Sequence, residues 1–160
     1  MRIVMASDHA GFEMKEHLRF FLASKGYAVE DKGAYTFDAL DDYPDYVALA
    51  AKAVSENPQK TCAIILGGSG QGEAIVANRF PHVRAVVYAG EPCGSHTQLP
   101  NMLALTREHN DANVLSLGAR FLTNESAEEI TLEWLTTPFS EDERHVRRIE
   151  KIETVTPSVL

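Results

Sequence analysis

The chain has 160 residues, of which 44% are hydrophobic and 24% charged, with a net charge of −8. This is a globular composition, expected to form one domain over residues 1–160 with a single substantial core, and it excludes the disordered class. The acidic balance offers no broad basic field, so nucleic acid is not an expected partner, whereas a small anion held by a few local arginines is.

Cys62 and Cys93 are too few for a disulfide framework. The first residues are too short an apolar stretch for a signal peptide, and no run approaches membrane length. A soluble, cytoplasmic protein with no membrane partner is expected.

In chain order, Arg2 to Ala6 reads as a short apolar strand ending in Ser7-Asp8-His9-Ala10-Gly11. A helix follows from Phe12 to Ser24, with Phe12, Met14, Leu18, Phe21 and Leu22 mostly on one stripe and Gly26 as its stop. Tyr27 to Glu30 is a second strand. Residues 33–45 form a loop rich in acids and aromatics, and a helix runs from about Tyr46 to Glu56, barred from extending by Pro58. The third strand, at 62–66, stops at Gly67, and a helical stretch runs from about Gln71 to Arg79. Val83 to Tyr88 is the fourth strand, residues 90–100 have loop composition, and a short helix reaches Glu108. Asn113 to Leu117 is the fifth strand. Asn124 is expected to cap a helix to about Thr136, ended by Pro138, and a charged helix from Ser140 to about Glu153 closes the chain. Strands alternating with helices imply a three-layer, doubly wound, five-stranded parallel sheet of Rossmann-like or flavodoxin-like order, with ligands beyond the carboxyl ends of the strands.

The stretch that carries chemistry is the loop after the third strand, where Gly67, Gly68, Gly70 and Gly72 fall within six positions. Glycines let the backbone approach a ligand, and the free N–H groups of the next helix's first turn face it. Three phosphate or nucleophile loops fail the comparison. A Walker A loop needs Gly-Lys-Ser/Thr where Gly72-Glu73-Ala74 stands, the dinucleotide fingerprint needs a glycine at Glu73, and the nucleophile elbow needs one at Gln71. What is left is an anion cradle with a hydroxyl (Ser69) and a carboxylate (Glu73), which suits proton transfer beside a developing oxyanion.

Several motifs occur in order: Ser-Asp-His-Ala-Gly-Phe at 7–12, Asp-Tyr-Pro at 42–44, Gly-Gly-Ser-Gly-Gln-Gly-Glu at 67–73, Arg-Glu-His-Asn-Asp-Ala-Asn at 107–113, Leu-Gly-Ala-Arg at 117–120 and Arg-His-x-x-Arg at 144–148. In this set the chain resembles the type B ribose-5-phosphate isomerase family, which also includes galactose-6-phosphate isomerase subunits, over about residues 2–153. The resemblance implies metal-free, cofactor-free interconversion of an aldose phosphate and a ketose phosphate. It further implies a homodimer or homotetramer with shared active sites, the last helix reaching into a partner subunit. Many members use a cysteine just before the glycine loop as base, a position held here by Gly67. Others use a glutamate at the loop's end, which Glu73 matches. The segment around 90–103 is longer than in typical members, which leaves the sugar open between ribose 5-phosphate and a four- or six-carbon sugar phosphate, such as galactose 6-phosphate or allose 6-phosphate.

Residue by residue, the resemblance makes Glu73 the base, where position alone equally suits an acid favoured in a helix's first turn. Gly68, Ser69, Gly70, Gln71 and Gly72 would cradle the enediolate oxygen, with the Ser69 hydroxyl either a proton carrier or a turn former. His109 would assist ring opening with Asp8 opposite it and Asn110 holding hydroxyls; read alone, His109 is a turn residue. Arg120, Arg144 and Arg148 would bind the phosphate with His9, and Arg144 and Arg148 share a helix face at i, i+4, equally the pattern of a solvated charged face. Tyr43 would line the pocket. Cys93 and His96 are spaced like half a metal site with no second pair. A non-catalytic sugar-phosphate-binding or flavodoxin-like module is the alternative from another class.

Overall fold

The computed structural model describes residues 1–90 and 101–155. Cys93, His96 and most of the long 90–103 segment lie outside the described residues. The strands are β1 (Arg2–Ser7), β2 (Ala28–Asp31), β3 (Thr61–Gly67), β4 (Ala85–Tyr88) and β5 (Val114–Gly118). The helices are α1 (Phe12–Ser24), α2 (Tyr43–Glu56), α3 (Gln71–Ala77), α4 (Met102–Asn110), α5 (Asn124–Thr136) and α6 (Glu143–Val155). All strand pairs are parallel, in the order β2-β1-β3-β5-β4. The expected parallel sheet is present, but a flavodoxin-like order would end β3-β4-β5. Here the last two strands are exchanged, so β5 pairs with β3 and β4 takes the edge.

Both faces of the sheet are covered, so its central strands read as continuous apolar runs. Ile3, Met5, Ile64, Leu66, Leu115 and Leu117 pack with α1, α4 and α5 around the buried Trp134. Val4, Ala6, Ala63, Ile65 and Val114 pack with α2 and α3. These are the three layers. Helix α6 lies outside them, with His145 its buried residue, against α4.

The helix ends show why some boundaries differ from expectation. α1 stops as expected: Gly26 takes φ 85°, its N–H bonds the Ala23 carbonyl, and the Tyr27 N–H bonds that of Leu22. α2 starts at Tyr43 instead of Tyr46 because Pro44 sits in its first turn, where a missing N–H costs nothing. α4 continues through His109 and Asn110 until Asp111 turns left-handed at φ 43°. Thr123, not Asn124, caps α5, accepting from the Ser126 N–H at 3.2 Å. Among the described residues, no helix is long and apolar enough to cross a membrane.

Candidate active site

Asp8 follows β1, the glycine loop follows β3 and Arg120 follows β5, all at the edge where the strands end. The chain leaves β1 outward to β2 and returns to β3 on β1's other side, so a crevice opens between β1 and β3. A cleft of about 330 Å³ lies there, lined by Asp8, His9, Tyr43, Gly68, Ser69, Gly72, Glu73, Arg120 and Phe121 among others.

The loop's geometry is set by close packing. Gly70 caps α3 at φ 76°, a left-handed conformation that side chains resist, and its carbonyl accepts from the buried Ser116 hydroxyl at 2.6 Å. Glu73, in the first turn of α3, is 4% exposed and turns back toward the strand. A Cβ built on Gly67 would overlap the Glu73 carboxylate. A side chain at 67 and this placement of Glu73 are therefore mutually exclusive. The guanidinium of Arg120 lies over Gly68, 3.2 Å from where a Cβ would stand, and the Tyr43 ring lies over Gly72 in the same way.

Charge in the cleft is arranged around these contacts. Burial pushes the Glu73 carboxyl above its ordinary range, its own turn's N–H opposes that, and the nearby Asp8 charge adds to the rise. Asp8 Oδ1 accepts from the N–H groups of Ala10 at 2.9 Å and Gly11 at 3.3 Å, at the start of α1, where negative charge is favoured. A hydrogen bond to Asp41 raises the His9 imidazole, burial opposes this, the charges of Asp8 and Asp41 add to it, and Arg120 opposes it. Asp8, His9 and Asp41 bring ligand-type atoms within 4.8 Å of one another. His9 Nδ1 lies 2.7 Å from Asp41 Oδ1, and a carboxylate only accepts, so in this arrangement Nδ1 carries the proton of their hydrogen bond.

Four expected residues stand elsewhere. α4 runs from the end of β4 back to the start of β5, so its last turn, with His109 and Asn110, lies at the edge where strands begin. Arg84, just before β4, bonds the Asn110 and Asp111 carbonyls there. Helix α6 shares that edge: the Ser140 N–H bonds the Glu108 carbonyl, His145 stacks on His109 with centroids 4.2 Å apart, and Glu153 sits 3.0 Å from His82. Arg144 and Arg148 on α6 are exposed, Arg144 lying 3.6 Å from Asp142. Burial first, and then the neighbouring His109, push His145 below the usual histidine range. A single chain thus separates His109, Asn110, Arg144 and Arg148 from the cleft by the length of the sheet.

Three site residues escaped the sequence reading. Asp41 was one acid among several in its loop, and Phe121 belongs to no motif. Ser116 had a usable signal, a lone hydroxyl in the apolar run Val-Leu-Ser-Leu-Gly.

A family model described as Ribose/Galactose Isomerase matches residues 3–152. The ribose-5-phosphate isomerase B of Mycolicibacterium paratuberculosis (strain ATCC BAA-968 / K-10) is 39% identical over 151 residues, covering 94% of this chain and 88% of that protein. That of Escherichia coli (strain K12) is 35% identical over 154 residues, covering 96% of this chain and 95% of that protein. Among solved structures, Mycoplasma genitalium ribose-5-phosphate isomerase B with bound ribulose-5-phosphate superposes with a TM-score of 0.85 at 37% identity, covering 96% of this chain and 94% of that one. The Thermotoga maritima ribose 5-phosphate isomerase superposes with a TM-score of 0.83 at 40% identity, covering 96% and 98%.

Proposed function

This chain belongs to the ribose/galactose isomerase family, and from that premise we propose that its cleft interconverts ribose 5-phosphate and ribulose 5-phosphate, one domain carrying the reaction in the cytoplasm. The observation that carries the reading is Glu73, a buried carboxylate of raised proton affinity set beside the glycine loop.

With the open-chain aldose in the cleft, the Glu73 carboxylate takes the proton from C2. The electron pair moves into a C1–C2 double bond, and the carbonyl oxygen O1 gains negative charge. The N–H groups of the glycine loop and the first turn of α3 stabilise this enediolate; one such donor is typically worth about 3 kcal/mol. Ser69 passes the O2 proton to O1, and Glu73 returns its proton to C1 as the C2 carbonyl forms. Atoms and charge balance, and Glu73 ends as it began. His9 and Arg120 hold the phosphate, and Tyr43 walls the sugar.

The missing pieces come from a second copy of the chain. His109 at one sheet edge and Glu73 at the other cannot meet within a protomer, so the partner's His109 and Asn110 face Asp8 for ring opening. The partner's Arg144 and Arg148, on a helix outside the three layers, complete the phosphate clamp. A homodimer, or a tetramer of such dimers, is the working form.

The test is Glu73→Gln. We expect kcat to fall about 100-fold or more, the low side of what a general base is worth, while ribose 5-phosphate still binds. Solvent deuterium should enter C2 of the substrate with wild type and not with the variant. Normal turnover by Glu73→Gln removes the carboxylate from the mechanism. Comparing kcat/KM across tetrose, pentose and hexose phosphates identifies the sugar, the four- and six-carbon substrates being the rivals.

A further inference from the structure

The acid-rich stretch between β2 and α2 makes one contact to the cleft that the mechanism above leaves unused. Asp38 accepts from the Leu40 N–H at 3.0 Å and shapes a turn that presents Asp41. Asp41 Oδ1 then accepts from the His9 backbone N–H at 2.9 Å and from His9 Nδ1 at 2.7 Å, with the Asp41 side chain only 5% exposed. Oδ2 of Asp41 is buried without a hydrogen-bond partner among the described residues. A neutral neighbour would leave that buried charge uncompensated.

The tautomer follows from this geometry. A carboxylate only accepts, so Nδ1 carries a proton, and a neutral His9 would have a bare lone pair at Nε2. A lone pair repels a phosphate oxygen, whereas the imidazolium offers it a charge-assisted N–H. We propose that Asp41 is a positioning residue for the phosphate seat: it orients the His9 ring through Nδ1 and keeps it a cation whose Nε2–H, beside Arg120, grips the substrate's phosphate.

The charges around His9 agree with that role. Asp41 is the largest influence raising its proton affinity, Asp8 Oδ2 at 4.0 Å from Nδ1 adds to it, and Arg120 works against it. Glu73 and Tyr43 line the same cleft, and the Phe37 ring meets His9 edge-on at 6.4 Å without charge. Two cations in the seat repel each other, and Asp41 offsets that repulsion at His9.

The inference rests on the sugar-phosphate reading, and the experiment separates the two. Asp41→Asn keeps an acceptor oxygen for both His9 contacts and removes the charge, with an amide NH2 in place of Oδ2. Steady-state kinetics with ribose 5-phosphate would be compared for wild type and Asp41→Asn from about pH 6 to about pH 9, a range that spans histidine titration. Each unit by which the His9 pKa falls cuts its cationic fraction on the alkaline side about tenfold. We expect the variant's KM to exceed wild type's several-fold at the alkaline end, the ratio to shrink toward one at the acid end, and kcat to move far less. Taking the ratio cancels the ionisation of the substrate phosphate. The His9 ring resonances of Asp41→Asn should titrate at lower pH than in wild type, and inorganic phosphate should bind it more weakly at alkaline pH. A KM ratio that is flat with pH, or an unmoved His9 titration, overturns Asp41's role. If Arg120→Ala binds inorganic phosphate as well as wild type does, the seat itself is misplaced and the sugar-phosphate reading of this cleft fails with it.

Discussion

At the scale of single residues, the proposed base Glu73 stands where its charge is costly to the fold. Its carboxyl is nearly enclosed and its pKa is raised, chiefly by burial. A carboxyl raised in the folded state favours folding most below its unfolded pKa and loses that contribution as pH rises through the folded value. Above its folded pKa the wild type holds a buried charge that Glu73→Gln lacks. Thermal unfolding should show the variant's Tm equal to or above wild type's at neutral pH, with the gap closing toward about pH 4, where a carboxyl is protonated. The reverse trend would mean that Glu73 is held by a favourable partner. Under the proposed mechanism the same raised pKa would move the acid limb of kcat/KM above the ordinary carboxylate range, since only the ionised carboxylate can accept the C2 proton. Gly67 belongs to this account, because a side chain there would occupy the carboxylate's place.

At the scale of elements, the site depends on how the strand and helix ends are tied together. The hydroxyl of Ser116 on β5 holds the Gly70 carbonyl at the entrance to α3, linking two elements 46 residues apart. Removing a buried donor from a bound acceptor typically costs about 1–3 kcal/mol. Ser116→Ala should therefore lower unfolding stability by about that amount and reduce kcat more than it raises KM, because the amides proposed to face the enediolate lose their anchor. Denaturant titration together with steady-state kinetics checks both, and a variant with wild-type kcat would show the loop to be self-supporting. The same scale explains the misread start of α2. Pro44 lies within the stretch 33–45 expected as a loop, but in a helix's first turn proline is favoured, and the helix it opens begins at Tyr43, which lines the cleft.

At the scale of the whole molecule, Glu73 and His109 lie at opposite ends of the strands, so the proposed shared site needs two chains. In a twofold dimer each site would draw on both copies. A mixture of Glu73→Gln and His109→Ala protomers, each inactive alone, should then regain activity after subunit exchange. Random pairing makes half the dimers hybrid with one intact site each, so recovery approaches about a quarter of the wild-type rate. Absence of any recovery in demonstrably hybrid dimers would show that His109 and Glu73 do not share a site across the interface.

The order of elements, the parallel sheet, the glycine loop and the candidate carboxylate were all legible from the linear chain. They depend on periodicity, turn residues and local spacing, which act between near neighbours. The exchange of β4 and β5 was not legible, because the alternation of strands and helices is identical for either order. The link from His9 to Asp41 spans 32 residues and was hidden among interchangeable acids. The placement of His109 and α6 opposite the cleft depends on which edge of the sheet a helix's end reaches. Such distances are set by packing in three dimensions, where residues far apart in the chain compete for the same contacts.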